Sequence, residues 1–195
     1  MARTSQAGSS PPSLGMLHTH DGPWTESDYL GLPAHSGRIE LVDGSLLVSP
    51  ADDRGIGIAS RVRDALERAV PDTLTVVGSV QLRVAPGRIV RPDLVVCRPH
   101  AADVDVVDAA DVLLVVDVAS RGALVDQIVM PQLYADAGIP YYLRIDRHTP
   151  AALAHMLIAG RHREFAAAGP GQTLTLEDPF PLALDLDALL GSSEG

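Results

Sequence analysis

Residues 112–118 read Val-Leu-Leu-Val-Val-Asp-Val, and no other stretch constrains the fold as much. An apolar run without alternation is the mark of a strand covered on both faces, so the chain needs a sheet with a layer on each side. The same run carries a charge problem. A carboxylate inside such a strand is costly to bury unless a cation, an arginine or a set of hydrogen-bond donors meets it. Asp117 therefore predicts a site as well as a strand.

The rest of the chain supplies the layers. Residues 1–22 are rich in Ser, Gly, Pro and Thr and read as a flexible leader, in which His18, His20 and Asp21 belong to a polar tail and not to a metal site. Residues 23–195 read as one domain, a size that supports a single buried core. Thr25-Glu26-Ser27-Asp28 has the form of a capped helix start. Arg38–Val42 and Ser45–Val48 flank Asp43-Gly44, a hairpin signal. Residues 55–70 predict an amphipathic helix with Ile58, Val62, Ala65, Leu66 and Ala69 inward, ended by Pro71. Strands are expected at 74–77, 80–84 and 94–97, then a polar connection over 99–111, then the buried run. Residues 123–137 predict a helix that starts late or kinks at Pro131 and ends at Gly138. A strand at 141–145, a hairpin of 153–158 with 162–165, and a helix at 185–190 complete the chain. The fold class is α/β: a mixed sheet flanked by helices.

Charge narrows the partners. The formal net charge is −10, which opposes non-specific attraction to a nucleic-acid backbone unless local arginines or bound cations reverse the field. All 15 basic residues are arginines, so no site here can use a lysine. The single cysteine, Cys97, excludes an internal disulfide and reads as a small buried hydrophobe. No secretory signal or membrane span is visible, and a cytoplasmic location is expected. His155 and His162 face each other across the late hairpin, without a third ligand for zinc. The arginines at 54, 61, 63 and 68 are interleaved with Asp64 and Glu67, as on a solvated, ion-paired helix.

Three acids stand out by placement. Asp93 directly precedes Leu94-Val95-Val96, Asp117 lies near the end of the long run, and Glu40 alternates with Ile39 and Leu41. If the strands of Asp93 and Asp117 are neighbours, their carboxylates converge and require a positive charge. A hard divalent cation, Mg²⁺ or Mn²⁺, suits such oxygens. The competing expectation is an ion pair, for example Asp93 with Arg91 or Arg83.

Four segments carry a family resemblance: Arg38-Ile39-Glu40-Leu41-Val42-Asp43-Gly44, Arg91-Pro92-Asp93-Leu94-Val95-Val96, Val115-Val116-Asp117-Val118-Ala119-Ser120, and Tyr134-Ala135-Asp136-Ala137-Gly138-Ile139-Pro140-Tyr141-Tyr142. In order and spacing, from about residue 25 to 185, the chain resembles the Uma2 family of restriction-endonuclease-like proteins. That family looks like the PD-(D/E)xK nucleases, in which acids hold Mg²⁺ against the scissile phosphate and a lysine serves the attacking water. The resemblance implies a restriction-endonuclease-like core, hydrolysis of DNA phosphodiester bonds, Glu40, Asp93 and Asp117 as metal-binding acids, and a homodimer. Two departures weaken it. The family usually has Glu where Asp117 stands, and its lysine would fall at Met130, after Asp126. Methionine neither carries charge nor donates a hydrogen bond, and Arg121, the nearest cation in sequence, is a poor proton acceptor. The resemblance thus leaves two expectations: a metal-dependent endonuclease, or a catalytically degraded nuclease-fold protein that serves as a binding or dimerisation module.

Overall fold

In this computed structural model, residues 20–32, 38–49, 53–119, 128–146, 148–149 and 151–190 are described. Along them run α1 (Glu26–Leu30), β1 (Arg38–Val42), β2 (Ser45–Ser49), α2 (Asp53–Ala69), β3 (Thr75–Gly78), β4 (Gln81–Ala85), β5 (Arg88–Val90) and β6 (Leu94–Cys97). There follow β7 (Val106–Asp108), β8 (Val112–Ala119), α3 (Met130–Asp136), β9 (Tyr141–Asp146), β10 (Ala151–Ile158), β11 (Arg161–Ala168), β12 (Thr173–Leu176), β13 (Leu182–Asp185) and α4 (Leu186–Leu190). Asp126 and Arg121 lie outside the described residues, as does most of the leader. His20, near the leader's end, stacks on Trp24 with ring centroids 4.0 Å apart.

The long apolar run becomes β8, inside a six-stranded sheet ordered β11-β10-β9-β8-β6-β3. β8 and β9 are parallel, joined by a crossover that contains α3, while the other described pairs of this sheet are antiparallel. Successive β8 side chains alternate between two cores. Leu114, Val116 and Val118 join Ile58, Val62 and Leu66 of α2 and the leucines of β12, β13 and α4. Val115 joins Met130, Leu133 and Tyr134 of α3, with Leu82 and Val90 of a second sheet. That second sheet has five strands, ordered β2-β1-β5-β4-β7. Its far face holds Tyr29, Ile39, Leu41 and Ile89. The domain thus has layers on both faces of β8, as its sequence required.

Local chemistry explains the element ends. Thr25 and Asp28 form a capping box at α1. Asp43 (φ 49°) and Gly44 (φ 79°) both take left-handed backbone, which makes the tight hairpin turn between β1 and β2. Ile128 and Val129 form a π-helical turn that runs into α3 at Met130, and Pro131 stands in the first turn of α3. The helix ends at Gly138, where Gly138 N donates to Ala135 O at 3.0 Å and Ile139 N to Tyr134 O at 3.1 Å. Three features depart from the sequence reading. β5 separates the strands expected on either side of Pro86-Gly87. The connection at 99–111 contains β7 and two 3-10 turns. β12 and β13 form an unanticipated two-stranded sheet.

Candidate functional site

The acids meet because of strand register. β6 and β8 pair with Leu94 opposite Val116 and Val95 opposite Val115, and continuing that register sets Asp93 opposite Asp117. Side chains alternate along each strand, so Asp93 shares the face of Val95 and Cys97, and Asp117 that of Val115. This is the face toward α3 and the second sheet. On β1, Ile39 and Leu41 point into the far core, which turns Arg38 and Glu40 toward the same acids.

Arg38 supplies the charge between them. Its Nη2 lies 3.3 Å from Asp93 Oδ1 and 3.8 Å from Asp117 Oδ1. Asp93 Oδ2 accepts from Val118 N at 2.8 Å, and Asp117 Oδ2 from the Tyr134 hydroxyl at 3.1 Å. Glu40, buried at 4% exposure, accepts from Arg91 N through Oε1 at 2.9 Å. The buried Asp117 Oδ1 makes no hydrogen bond. The pair expected for Asp93 with Arg91 or Arg83 gives way to Arg38: Arg83 is held by Glu26 and Asp108, each at 3.0 Å, and Arg91 contributes its backbone to Glu40.

Among the described residues, Arg38 is the guanidinium paired with Asp93 and Asp117, and Glu40 adds to the field that acts on it. Burial pushes the Asp117 carboxyl from the usual 3.8 up to about 7. Arg38 opposes this shift, Asp93 and Glu40 add to it, and the Tyr134 hydrogen bond opposes it. Burial acts to lower the Arg38 guanidinium, but the fields of Asp93, Asp117 and Glu40 outweigh it and hold it charged. The Tyr134 hydroxyl is raised well above the ordinary tyrosine range by burial and by Asp117, so it stays a donor.

The donors are all oxygens, as a hard cation prefers, and Asp117 Oδ1, 3.8 Å from Arg38, accepts no hydrogen bond. The residues fit a divalent cation on those grounds. They do not form a finished ligand shell: among the described residues no group of three or more His, Cys, Asp and Glu could hold a metal ion. Glu40 is turned to the Arg91 amide while Asp93 and Asp117 face Arg38. Met130, at 3% exposure, is packed in the core with Leu133, Tyr134 and Tyr142.

Sequence alone assigns no role to Arg38 or Tyr134, although both lie in the segments of the family resemblance. Arg38 is two residues from Glu40 and so on its face of the strand. Tyr134 falls at helical spacing from Met130, on the apolar side of α3, where a buried hydroxyl needs a partner. His155 and His162 are not opposite each other: His155 pairs with Glu164 and His162 with Leu157. A bulge at Ala154/His155 shifts the register, and both rings stack on Tyr142. Cys97 is fully buried.

A family model described as "Uma2: Putative restriction endonuclease" matches residues 26–188. Four solved chains match the structure. One, "a putative nuclease belonging to DUF820" from Anabaena variabilis, aligns with TM-score 0.68 and 14% sequence identity, covering 86% of this chain and 98% of its own. That likeness bears on the fold, which is a nuclease-like mixed α/β domain. No curated protein matches the sequence. No helix among the described residues is long and apolar enough to cross a membrane.

Proposed function

The chain belongs to the Uma2 family, and from that premise we propose that it binds Mg²⁺ or Mn²⁺ at Asp93 and Asp117, with Glu40 behind them, and hydrolyses DNA phosphodiester bonds. The observation that carries this reading is the buried Asp117 Oδ1, which has no hydrogen bond and sits across the strand from Asp93. A cation bound there would polarise a phosphoryl oxygen and make a bound water more acidic. The chain's own groups hold the acids in place. Val118 N fixes Asp93, Tyr134 fixes Asp117, Arg91 N fixes Glu40, and Arg38 neutralises the pair when no other cation is present. A cytoplasmic site of action and a homodimer go with this reading, and cell fractionation and light scattering test them.

Met130 favours a second reading. The position where the family's lysine would fall is a packed apolar side chain, so no cation on α3 faces the acids. A protein with these acids and no such cation would bind a divalent ion and DNA with little or no turnover, as a binding or dimerisation module. Plasmid cleavage in Mn²⁺, with wild type beside Asp93→Ala from the same preparation, decides between them. Cleavage abolished by Asp93→Ala supports the nuclease. Equal cleavage from both preparations, or none, removes the case for hydrolysis.

A further inference from the structure

Solvent reaches the acid cluster on the side of Arg38 and Asp93. Their side chains are 27% and 25% exposed, whereas that of Asp117 is 6% exposed. The contacts of Arg38 are also long. Its Nη2 lies 3.3 Å from Asp93 and 3.8 Å from Asp117. Arg63, Arg83, Arg88 and Arg98 hold their carboxylates at 2.7–3.0 Å. A charge-assisted N–H···O bond spans about 2.7–2.9 Å, so Arg38 neutralises the acids without being locked to them. It stands on β1 of the five-stranded sheet, while β6 and β8 belong to the six-stranded one. Its side chain can therefore turn aside without disturbing the register that sets Asp93 opposite Asp117.

We propose that Arg38 exchanges partners: when a divalent cation occupies the carboxylates, its guanidinium turns to a phosphate oxygen of the nucleic-acid backbone and binds substrate. The inference rests on the phosphodiester reading above. A cation at the acids supplies the positive charge that Arg38 otherwise gives them, and the attraction that keeps the guanidinium there falls. The freed fork matches a phosphate in shape and charge. The chain has no lysine, so arginine is the side chain that brings a permanent positive charge to such a contact. Arg83 is taken by Glu26 and Asp108, and Arg88 by Asp43. Among the described residues, Arg38 is the arginine that ion-pairs with the acids.

The test compares the full chain as wild type, Arg38→Gln, Arg38→Lys and Arg163→Gln. Calorimetry reads Ca²⁺ binding, and fluorescence anisotropy reads binding of a short DNA duplex in saturating Ca²⁺. Arg163 is an exposed residue of β11 and controls for the loss of one positive charge. Partner exchange gives Arg38→Gln opposite effects on the two ligands. Ca²⁺ binds about tenfold tighter because its competitor is gone, and the duplex binds about 10- to 100-fold weaker because a charge-assisted contact is lost. Arg38→Lys recovers part of the duplex affinity, and Arg163→Gln changes it by less than about threefold. If Arg38→Gln tightens Ca²⁺ but binds the duplex no worse than Arg163→Gln, Arg38 is a competitor only, and the inference falls while the DNA reading survives. Loss of both ligands makes Arg38 part of the metal site and overturns the exchange. If Arg38→Gln does not fold, the Arg38 Nε–Hε NMR signal of wild type, assigned with Arg38→Lys, carries the test: it shifts when duplex is added to the Ca²⁺-loaded protein, and an unmoved signal overturns the inference. Wild type that binds Ca²⁺ but no duplex overturns the DNA reading and this inference together.

Discussion

Replacing Asp117 by asparagine tests the electrostatics of the site without any substrate. The carboxyl titrates near 7 in the folded protein against 3.8 ordinarily, chiefly because it is buried. Its folded value is raised, so the unfolded chain releases this proton first as pH climbs. Stability from this group is therefore greatest below about pH 4 and is lost as pH rises toward and through 7. Integrating between pH 5 and pH 8 gives a loss of about 2–3 kcal/mol from Asp117 alone. Other groups also titrate there: His155, lowered by burial and by His162, works in the opposite direction. Subtracting the Asp117→Asn profile from the wild-type profile cancels it. The assay is urea denaturation in EDTA at several pH values. The wild-type stability relative to Asp117→Asn should fall by about 2–3 kcal/mol from pH 5 to pH 8. A flat difference would show that Arg38 keeps Asp117 ionised throughout and would refute the reasoning, as would a rise.

Arg38→Gln removes the cation that competes for Asp93 and Asp117, so Mn²⁺ should bind about tenfold tighter by calorimetry; equal or weaker binding would show that Arg38 helps to form the metal site. Met130→Lys puts an ammonium into a core of Leu133, Tyr134 and Tyr142 and should cost about 2–4 kcal/mol in denaturant. If the nuclease reading holds, the surviving folded fraction should cleave plasmid faster than wild type in Mn²⁺. Gly44→Ala should lower stability by about 1–3 kcal/mol, because φ is +79° and an added Cβ would lie 2.7 Å from Pro23 Cβ. An unchanged denaturation midpoint would mean that the turn and Pro23 adjust freely.

Features written over a few adjacent residues were legible in the sequence. The Asp43-Gly44 turn and the Thr25 cap both depend on local backbone chemistry. So did the two-sided burial of β8, since its run lacks alternation. Pairing across long separations was not legible. Nothing near Arg38 says that β1 pairs with β5 in a second sheet, or that this sheet turns Arg38 toward β6 and β8. β12 and β13 do alternate, with Leu174, Leu176, Leu182 and Leu184 buried, but each is only four residues long and the signal is weak. Asp93 and Asp117 converge only if their strands are neighbours, a condition that the β6–β8 register meets. An Asp–Arg pair is present, but its arginine is Arg38 from the other sheet, which sequence proximity to Arg91 does not point to.

That origin has a mechanical consequence. Arg38 rides on the five-stranded sheet, while the aspartates belong to the six-stranded one, so their ion pairs act as a rivet across the junction of the two layers. Anything that neutralises the acids by another route loosens the rivet. Loading the site with a cation should therefore free β1 while steadying β8. In hydrogen exchange the two strands would respond with opposite signs to one event, making the amides of β1 a remote gauge of occupancy at the acids.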